Sequence, residues 1–374
     1  MVQTELYIGL MSGTSADAID AALLDFNDGV KLIATHSHPL SEDLQQDIHE
    51  LALAGENEIH RCCHLDIHLA EAFAQTVKEL LKTSNVSANQ ITAIGSHGQT
   101  IRHQPPIENK KGFSLQIADP NTIAAKTGIT TIADFRRRDM AEGGQGAPLV
   151  PAFHEALFRH PSLNRTIVNI GGMGNITLLP SQQSEKIVSG FDTGPGNVLM
   201  DMWCRQHRGS TYDKNGDWAR NGSVNEKLLA QLLSEPYFQQ AAPKSTGREL
   251  FNHHWLMEQL EKFDESTKPE GIQATLLALT AHSICNAIRE QQIDNEEVFI
   301  CGGGAHNKYL METLQALLPN QKVHNTGEID LDPQWVEATA FAWLAKQTLE
   351  HLPGNLPAVT GASKPCILGG IYQA

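Results

Sequence analysis

The chain lacks several features that would place it in a common functional class. It has 28 lysines and arginines against 43 aspartates and glutamates, a net charge of −15, so affinity for nucleic acid or for an anionic membrane is not expected. None of its six cysteines stands in CxxC spacing, which predicts reduced thiols rather than a disulfide framework or a zinc site. No apolar run approaches the roughly 20 residues that span a bilayer, and Met1–Glu5 does not resemble a secretion signal. We therefore expect a cytoplasmic protein.

Two familiar nucleotide motifs are also missing. No glycine-rich turn is followed by the Gly-Lys-Ser/Thr of a Walker A loop, and none fits GxGxxG at the start of a βαβ unit. If the chain binds phosphate, it does so with a different architecture.

Three glycine-rich turns beside apolar runs are present instead. The first, 12–15, joins two apolar runs in a hairpin and is followed by Asp17 and Asp20; the second spans 190–197 and follows another glycine cluster at 171–174; the third spans 302–304. Glycines let a ligand approach the backbone closely, and turn N–H groups bind anions. Hydroxyls and carboxylates in the first turn suit phosphate and Mg²⁺. Taken alone, the first turn fits an ordinary structural hairpin better, and the two later loops favour a nucleotide site.

The order of strand-like and helix-like segments predicts an α/β protein of two domains. Residues 134–151 are rich in glycine, proline and charge, so we place the inter-domain crossing there. The first domain is expected over 1–133 plus 346–374, and the second over 134–345. Both halves open with glycine-marked strands, which suggests a duplicated unit without an exact repeat.

Eight motifs resemble those of the anhydro-N-acetylmuramic acid kinases, a family of the acetate and sugar kinase/Hsp70/actin superfamily. They are GLMSGTSADAID (9–20), GSHGQT (95–100), LQIADP (115–120), ADFRRRDMAEGGQGAPLVP (133–151), NIGGMGNIT (169–177), GFDTGPGN (190–197), PKSTGRELF (243–251) and CGGGAHN (301–307). The resemblance implies two RNase H-like (actin-like ATPase) domains flanking a nucleotide cleft. One position departs from the family: Ala18 stands where a glycine is usual, which puts a positive φ there in doubt.

The activity that the resemblance implies uses ATP and Mg²⁺. Water opens the 1,6-anhydro bridge of 1,6-anhydro-N-acetylmuramic acid while O6 takes the γ-phosphoryl group, in cell-wall recycling. The partners would be small molecules, with no nucleic acid or membrane, and a homodimer is left open. Two alternatives stay open: a kinase of a related anhydro sugar such as levoglucosan, and an Hsp70- or actin-like ATPase switch.

The resemblance also implies two catalytic residues. Asp192 would be the base that activates the water, and Glu337 a second acid that orients it. The residues alone fit other roles equally well: Asp192 as the cap of a helix opening at Pro195, and Glu337 as a first-turn carboxylate favoured by the helix dipole.

Nucleotide contacts are expected from the glycine-rich segments. They are Gly13, Thr14, Ser15, Ala16, Asp17, Ala18, Ile19, Asp20, Gly171, Gly172, Asn175, Gly194, Gly196, Asn197, Gly302, Gly303 and Gly304. Asp17 and Asp20 are also the candidates for Mg²⁺ or its water shell, with no preference between them.

Sugar contacts are expected from four polar side chains, namely His97, Asp119, Arg136 and Arg138. For the arginine cluster 136–138, a solvated loop neutralised by Asp134 and Asp139 is an equal alternative. No ligand is assigned to the loop 243–251. The histidines at 60, 64 and 68, on one helical face, are interpreted as solvent-facing rather than metal-binding.

Overall fold

The computed structural model describes residues 5–13, 15–106, 110–242, 244–263, 265–291 and 296–374. Thr14, a predicted phosphate contact, lies outside them. The strands are β1 (Leu6–Ser12), β2 (Ala18–Asp25), β3 (Lys31–Pro39), β4 (Ile91–Gln104), β5 (Phe113–Ile117), β6 (Thr131–Ala133), β7 (Arg165–Ile170), β8 (Met173–Leu179), β9 (Ser189–Pro195), β10 (Glu297–Cys301), β11 (Lys322–Asn325) and β12 (Gly370–Tyr372). The α-helices are α1 (Glu42–Ala52), α2 (Glu58–Ser84), α3 (Pro120–Thr127), α4 (Phe135–Ala141), α5 (Val150–Phe158), α6 (Val198–Arg208), α7 (Asp217–Arg220), α8 (Glu226–Leu233), α9 (His253–Glu261), α10 (Pro269–Glu290), α11 (Lys308–Leu317), α12 (Val336–Leu349) and α13 (Pro357–Thr360).

The chain forms two compact units. The first comprises Met1–Leu157 and Trp335–Ala374, and the second Phe158–Gln334. The sequence predicts domain boundaries at 133/134 and 345/346. The first unit of the structure therefore includes more of the chain than the predicted first domain does. The reason is packing: Phe135 of α4, Leu149 and Phe341 of α12 belong to one apolar cluster of the first unit.

Helix α12 lies close against the sheet of the first unit because two strand residues have no side chain. A Cβ at Gly9 would lie 1.7 Å from the Ala338 carbonyl oxygen, and one at Gly95 would lie 2.0 Å from that of Phe341. Such contacts are impossible for any larger residue. The two glycines thus determine where α12, and with it Glu337, sits on the sheet.

The sheet of the first unit has the strand order β12-β6-β4-β1-β2-β3, with β5 paired to β4. Strands β1, β2 and β3 form an antiparallel meander, and β4 and β6 add in parallel. Alternate residues of β1 point to opposite faces, as the pleat requires. Ile8 and Leu10 join the apolar cluster that includes residues of α2, while Tyr7 joins the cluster of α12.

The second unit repeats this topology. Its sheet has the order β11-β10-β7-β8-β9; β7, β8 and β9 form an antiparallel meander, and β10 and β11 add in parallel. Five strands correspond between the two sheets: β1, β2, β3, β4 and β6 in the first unit, and β7 to β11 in the second. When each set is numbered along the chain, the order across the sheet is 3-2-1-4-5, which is the RNase H-like arrangement. The predicted α/β class with two RNase H-like units is confirmed, and the duplication is visible in the topology.

Helix α10 is the core helix of the second unit. Among the described residues it is the one helix long and apolar enough to cross a membrane, with a mean hydropathy of 1.2, and 89% of its most apolar window is buried in the protein. The sequence predicted no apolar run of this length, because polar residues such as Gln273 and Thr280 interrupt it. Both are almost fully buried, so the helix is surrounded by its own unit.

Candidate functional site

The turn between β1 and β2 is tied to the neighbouring strand β4. The Ser12 hydroxyl donates to Oε1 of Gln99 at 2.7 Å, and Nε2 of Gln99 donates to the Gly13 carbonyl at 3.2 Å. A Cβ at Gly13 would find no atom nearer than Ser15 Oγ at 3.9 Å, so the glycine borders open space. Gln99 lies in the motif GSHGQT, but the sequence alone assigns it no role, because its partner Ser12 lies 87 residues away in the chain.

The left-handed residue of this turn is Ala16, with φ of 55°, and not Ala18. Ala16 is completely buried, and its N–H donates to the Gly13 carbonyl at 3.1 Å. Ala18 opens β2 in extended conformation opposite Pro39. Alanine is therefore not strained at 18, and the missing family glycine carries no cost there.

The two aspartates of the turn differ in environment. Asp17 is exposed, whereas Asp20 is half-buried on β2 opposite Ser37 of β3. Burial raises the pKa of Asp20, and a hydrogen bond with Ser37 partly offsets this. Its Oδ1 is buried without a hydrogen-bond partner among the described residues. An oxygen of this kind suits a hard cation such as Mg²⁺, so Asp20 fits the predicted ion better than its neighbour does.

The remaining predicted contacts of this segment are backbone groups or small side chains. Ser15 is half-buried, as is Ala18. Ile19 points into the apolar core with no exposed surface, so only its backbone is available to a ligand.

His97 and Arg136 form a hydrogen-bonded pair in the first unit. Nη2 of Arg136 lies 2.8 Å from Nε2 of His97, and Nδ1 of His97 lies 2.9 Å from the Gly98 carbonyl. Because the arginine can only donate, His97 is neutral, with its proton on Nδ1. Burial, and then the charge of Arg136, lower the pKa of His97 to about 3. The apolar run 91–96 predicts a short strand that ends just before His97. In the structure β4 continues to Gln104, with Gly98 at a φ of 71°.

The guanidinium of Arg136 is desolvated but still charged at neutral pH. Burial lowers its pKa to about 10, and the charges of Glu337 and Asp139 act in the opposite direction. Nη1 donates to the Gly146 carbonyl at 2.9 Å, while Nε is buried with no partner among the described residues. Glu337, half-buried in the first turn of α12, is thus an electrostatic neighbour of Arg136 within one unit.

The other two arginines of the cluster are different. Arg137 pairs with Asp134 at 2.8 Å, and Arg138 pairs with Glu142 at 3.2 Å; both side chains are about 60% exposed. Arg137 and Arg138 thus match the solvated alternative, whereas Arg136 is half-buried among polar groups.

Asp119 is the N-cap of α3. Its two oxygens accept from the N–H groups of Asn121 and Thr122 and from both of their side chains, at 2.6–3.2 Å. Burial raises its pKa, but these hydrogen bonds outweigh burial and leave it lowered. A sugar hydroxyl at Asp119 would therefore compete with four donors, and the contact stays a prediction.

Asp192 lies within β9 and not at a helix start, since α6 begins only at Val198. Oδ2 accepts from the Thr246 N–H at 3.0 Å, and the Asp192 N–H donates to the Lys244 carbonyl at 3.1 Å. The Tyr237 hydroxyl donates to the Asp192 carbonyl at 2.6 Å. Burial raises the pKa of Asp192 to about 6, the Thr246 hydrogen bond lowers it, and Glu249 raises it further. The loop 244–246, which the sequence left unassigned, thus holds Asp192.

Asp192 belongs to a row of polar residues across the second sheet. Asn169 of β7 pairs with Asn175 of β8, which pairs with Asp192 of β9. Their strand neighbours Val168, Ile176 and Phe191 face the apolar core, so the row lies on the other face. Asn169 was missed by sequence reasoning, because only the register shows that it adjoins the predicted Asn175.

The glycines of the second unit divide into two groups. Four are required by packing: a Cβ would lie 2.6 Å from the Phe238 ring at 194, 2.5 Å from the Gly171 carbonyl oxygen at 196, and 2.4 Å from Asn169 Oδ1 at 302 and from Ile170 Cγ2 at 304. Gly171, Gly172 and Gly303 border open space instead, with no atom within 3.7 Å. Asn197 joins the turns, since its Nδ2 donates to the Ile170 carbonyl at 3.1 Å. At the second group the space beside the Cα is open, and the nucleotide contacts expected at all seven glycines stay predictions.

The fold and these residues define a class of protein: an α/β enzyme with open glycine turns for an anion and a carboxylate whose raised pKa suits proton transfer. Residues 5–374 match the sequence model of the anhydro-N-acetylmuramic acid kinases. The relatives of that name from Coxiella burnetii and Shewanella pealeana are 55% and 53% identical, over 98% of this chain and 97% and 98% of theirs. The chain belongs to the anhydro-N-acetylmuramic acid kinase family.

Among solved structures, component A of the Acidaminococcus fermentans (R)-2-hydroxyglutaryl-CoA dehydratase superposes with a TM-score of 0.49 at 11% identity. The match covers 90% of this chain and 96% of that one.

Proposed function

We propose that this chain is an ATP-dependent kinase of 1,6-anhydro-N-acetylmuramic acid. It adds water across the 1,6-anhydro bridge and phosphorylates O6, giving N-acetylmuramic acid 6-phosphate and ADP in cell-wall recycling. The observation that carries this proposal is the family match over residues 5–374 at more than 50% identity to proteins of that name. We infer that the enzyme acts in the cytoplasm on small molecules, without nucleic acid or membrane, and that a homodimer is compatible with this role.

Asp192 is the proposed general base. Its carboxylate takes a proton from a water molecule, whose oxygen bonds to C1 as the C1–O6 bond breaks. O6 bonds to the γ-phosphorus as the bond to the ADP oxygen breaks, and the proton on Asp192 then returns to solvent. A pKa of about 6 supports this role, because the group is ionised at pH 7 yet basic enough to accept a proton.

Arg136 and Glu337 are proposed to hold the sugar and the water. The substrate carries a lactyl carboxylate, and a charged guanidinium with an unpartnered Nε is the complementary group. His97 fixes that guanidinium through a lone pair, since its pKa of about 3 keeps it neutral. Glu337, which interacts with Arg136, orients the attacking water; Arg138 and Asp119 stay predicted hydroxyl contacts.

Phosphate binding is assigned to the turns that border open space. In the first unit these are Gly13 and Ser15 at the tip of the hairpin, and in the second the backbone at 171–172. Gly303, which also borders open space, is assigned to the adenosine or its ribose. Asp20, with Asp17 as its exposed neighbour, would hold Mg²⁺ directly or through water. When bound, that ion would neutralise phosphate charge. The packed glycines 194, 196, 302 and 304 shape these turns, and their backbone groups stay predicted nucleotide contacts.

A product assay tests the proposal. The chain is incubated with ATP, Mg²⁺ and the anhydro sugar in ¹⁸O-water, and the products are resolved by mass. We expect one phosphoryl group on the sugar, label at C1 and none in the phosphate. Label in the phosphate would contradict the bond changes.

Levoglucosan, which has neither lactyl nor acetamido group, is the matched control. Equal turnover with levoglucosan would favour the related sugar kinase. Sugar-independent release of free phosphate as the main activity would favour the ATPase switch.

A further inference from the structure

Two histidines and a glutamate converge in the first unit, on residues that take no part in the proposed reaction. His36 and His38 lie on β3, and Glu79 lies on α2. Oε2 of Glu79 is 2.8 Å from Nε2 of His36 and 3.0 Å from Nδ1 of His38, and the three ligand atoms lie within 4.8 Å of one another.

From this juxtaposition we propose that His36, His38 and Glu79 form a binding site for a divalent transition metal of the Zn²⁺ type. Two imidazoles and one carboxylate are a common ligand set for such ions, with water completing the coordination. Ligand atoms of a tetrahedral site are about 3.3 Å apart when bond lengths are about 2.0–2.1 Å. The distances from Glu79 Oε2 to His36 Nε2 and to His38 Nδ1, 2.8 and 3.0 Å, therefore need to increase by only a few tenths of an ångström.

The backbone places the three ligands without distortion. His36 and His38 are two apart on one strand, so both side chains emerge on the same face of the sheet. That face also carries Ile19 and Ala21, the partners of His38 and His36 on β2, which pack in the apolar cluster of α2. Helix α2 therefore brings Glu79 to the two imidazoles as a consequence of core packing.

The carboxylate is already oriented. Nε2 of Gln75, one helical turn earlier, donates to Oε1 of Glu79 at 2.8 Å, which leaves Oε2 for the two histidines. Outer hydrogen bonds of this kind hold metal ligands in place. Those from Gln75, His38 and His36 lower the pKa of Glu79 to about 2, so the ligand is ionised at any physiological pH.

The site is open to solvent. Strand β3 is the edge of its sheet, and the side chains of His36, His38 and Glu79 are 26%, 31% and 31% exposed. An ion can therefore enter without unfolding, and once bound it would fasten the edge strand to α2.

The test is a calorimetric titration of the chelator-treated full chain with ZnCl₂. We expect one saturable site per chain, weakened at least tenfold in Glu79→Gln and in His38→Asn. The matched control is the double variant His60→Asn/His64→Asn, since that pair lies exposed on the same helix with ring centroids 4.6 Å apart; it should keep the site. At 100-fold excess of Zn²⁺ over its Kd, Tm should rise on the order of 5 °C.

A second measurement needs no variant. Carbethoxylation of histidines in the wild-type chain, mapped on peptides, should be suppressed by Zn²⁺ at His36 and His38. Protection confined to His60 and His64, or Zn²⁺ affinity unchanged in Glu79→Gln and His38→Asn, would overturn the proposal.

Discussion

Replacing Asp192 by asparagine should lower turnover by orders of magnitude and stabilise the protein at the same time. The carboxylate has a folded-state pKa of about 6 against an ordinary value of 3.8. This difference of about two pH units corresponds to at most about 3 kcal/mol at 1.36 kcal/mol per unit, and the partial exposure of the side chain reduces it to about 1–2 kcal/mol. Asparagine keeps an oxygen that can accept the Thr246 N–H, so the main change is loss of the buried charge.

The sign of the effect follows from proton binding. Between about pH 4 and pH 6 the folded wild type holds a proton on Asp192 that the unfolded chain has released, so stability falls as pH rises through this window. The asparagine of the variant cannot ionise, so the variant does not lose stability as the pH rises through this window. The two proteins should have similar Tm at pH 4, and by pH 7.5 the Tm of the variant should be higher by about 2–8 °C for a unit of about 180 residues.

The assay is thermal unfolding of both proteins at pH 4, 5, 6 and 7.5, with turnover measured at pH 7.5. Turnover of Asp192→Asn should fall by about 10²–10⁴ with ATP binding retained. Asp217, exposed on α7 of the same unit, provides the control: Asp217→Asn makes the same chemical change and should keep wild-type turnover. A variant less stable than wild type at pH 7.5, or a gap independent of pH, would refute the burial argument, and near-normal turnover would remove Asp192 from the mechanism.

Three further predictions concern the other candidate residues. Glu337→Gln should lower kcat by about tenfold or more with an unchanged KM for ATP, as for a lost positioning group; steady-state kinetics decide this, and an unchanged kcat would exclude the role. Gly172→Ala should raise the KM for ATP and leave Tm unchanged, because no atom beyond the chain neighbours lies within 4 Å of the new methyl group. Gly304→Ala should cost about 1–3 kcal/mol of stability, because its methyl group would contact Ile170. Kinetics and thermal unfolding of both variants test this, and the reverse pattern would contradict the division of the glycines. His97→Gln should raise the KM for the sugar but leave the acid limb of the pH profile near pH 6, since the pKa of His97 is about 3; a displaced limb would assign the titration to His97.

Much of the candidate site could be predicted because its residues lie in short, contiguous sequence motifs. The hairpin 7–26, the strand carrying Asp192 and the glycine turns each consist of neighbouring residues whose turn preferences act locally. The same locality explains the errors. The strand predicted over 91–96 extends to Gln104 in the structure, because pairing with β1 and β5 outweighs the turn-forming tendency of Gly98.

The sequence also does not distinguish glycines that border open space from glycines that close packing requires. Gly172 and Gly304 look alike in a motif, yet one borders open space and the other lies against Ile170. Likewise Arg136 and Arg138 are two positions apart, and only the packing of α4 leaves the first half-buried and the second exposed. Which of two similar residues serves a ligand depends on distant neighbours.

The sequence by itself determined the α/β class and the family, and it supplied the candidate base and the candidate phosphate turns, because these depend on periodicity and on contiguous motifs. Tertiary structure alone decided the contacts between remote segments: Thr246 on Asp192, Gln99 on the first turn, and Glu79 on His36 and His38. Such contacts join residues about 40 to nearly 90 positions apart. They arise from packing and strand register, which no local pattern of residues encodes.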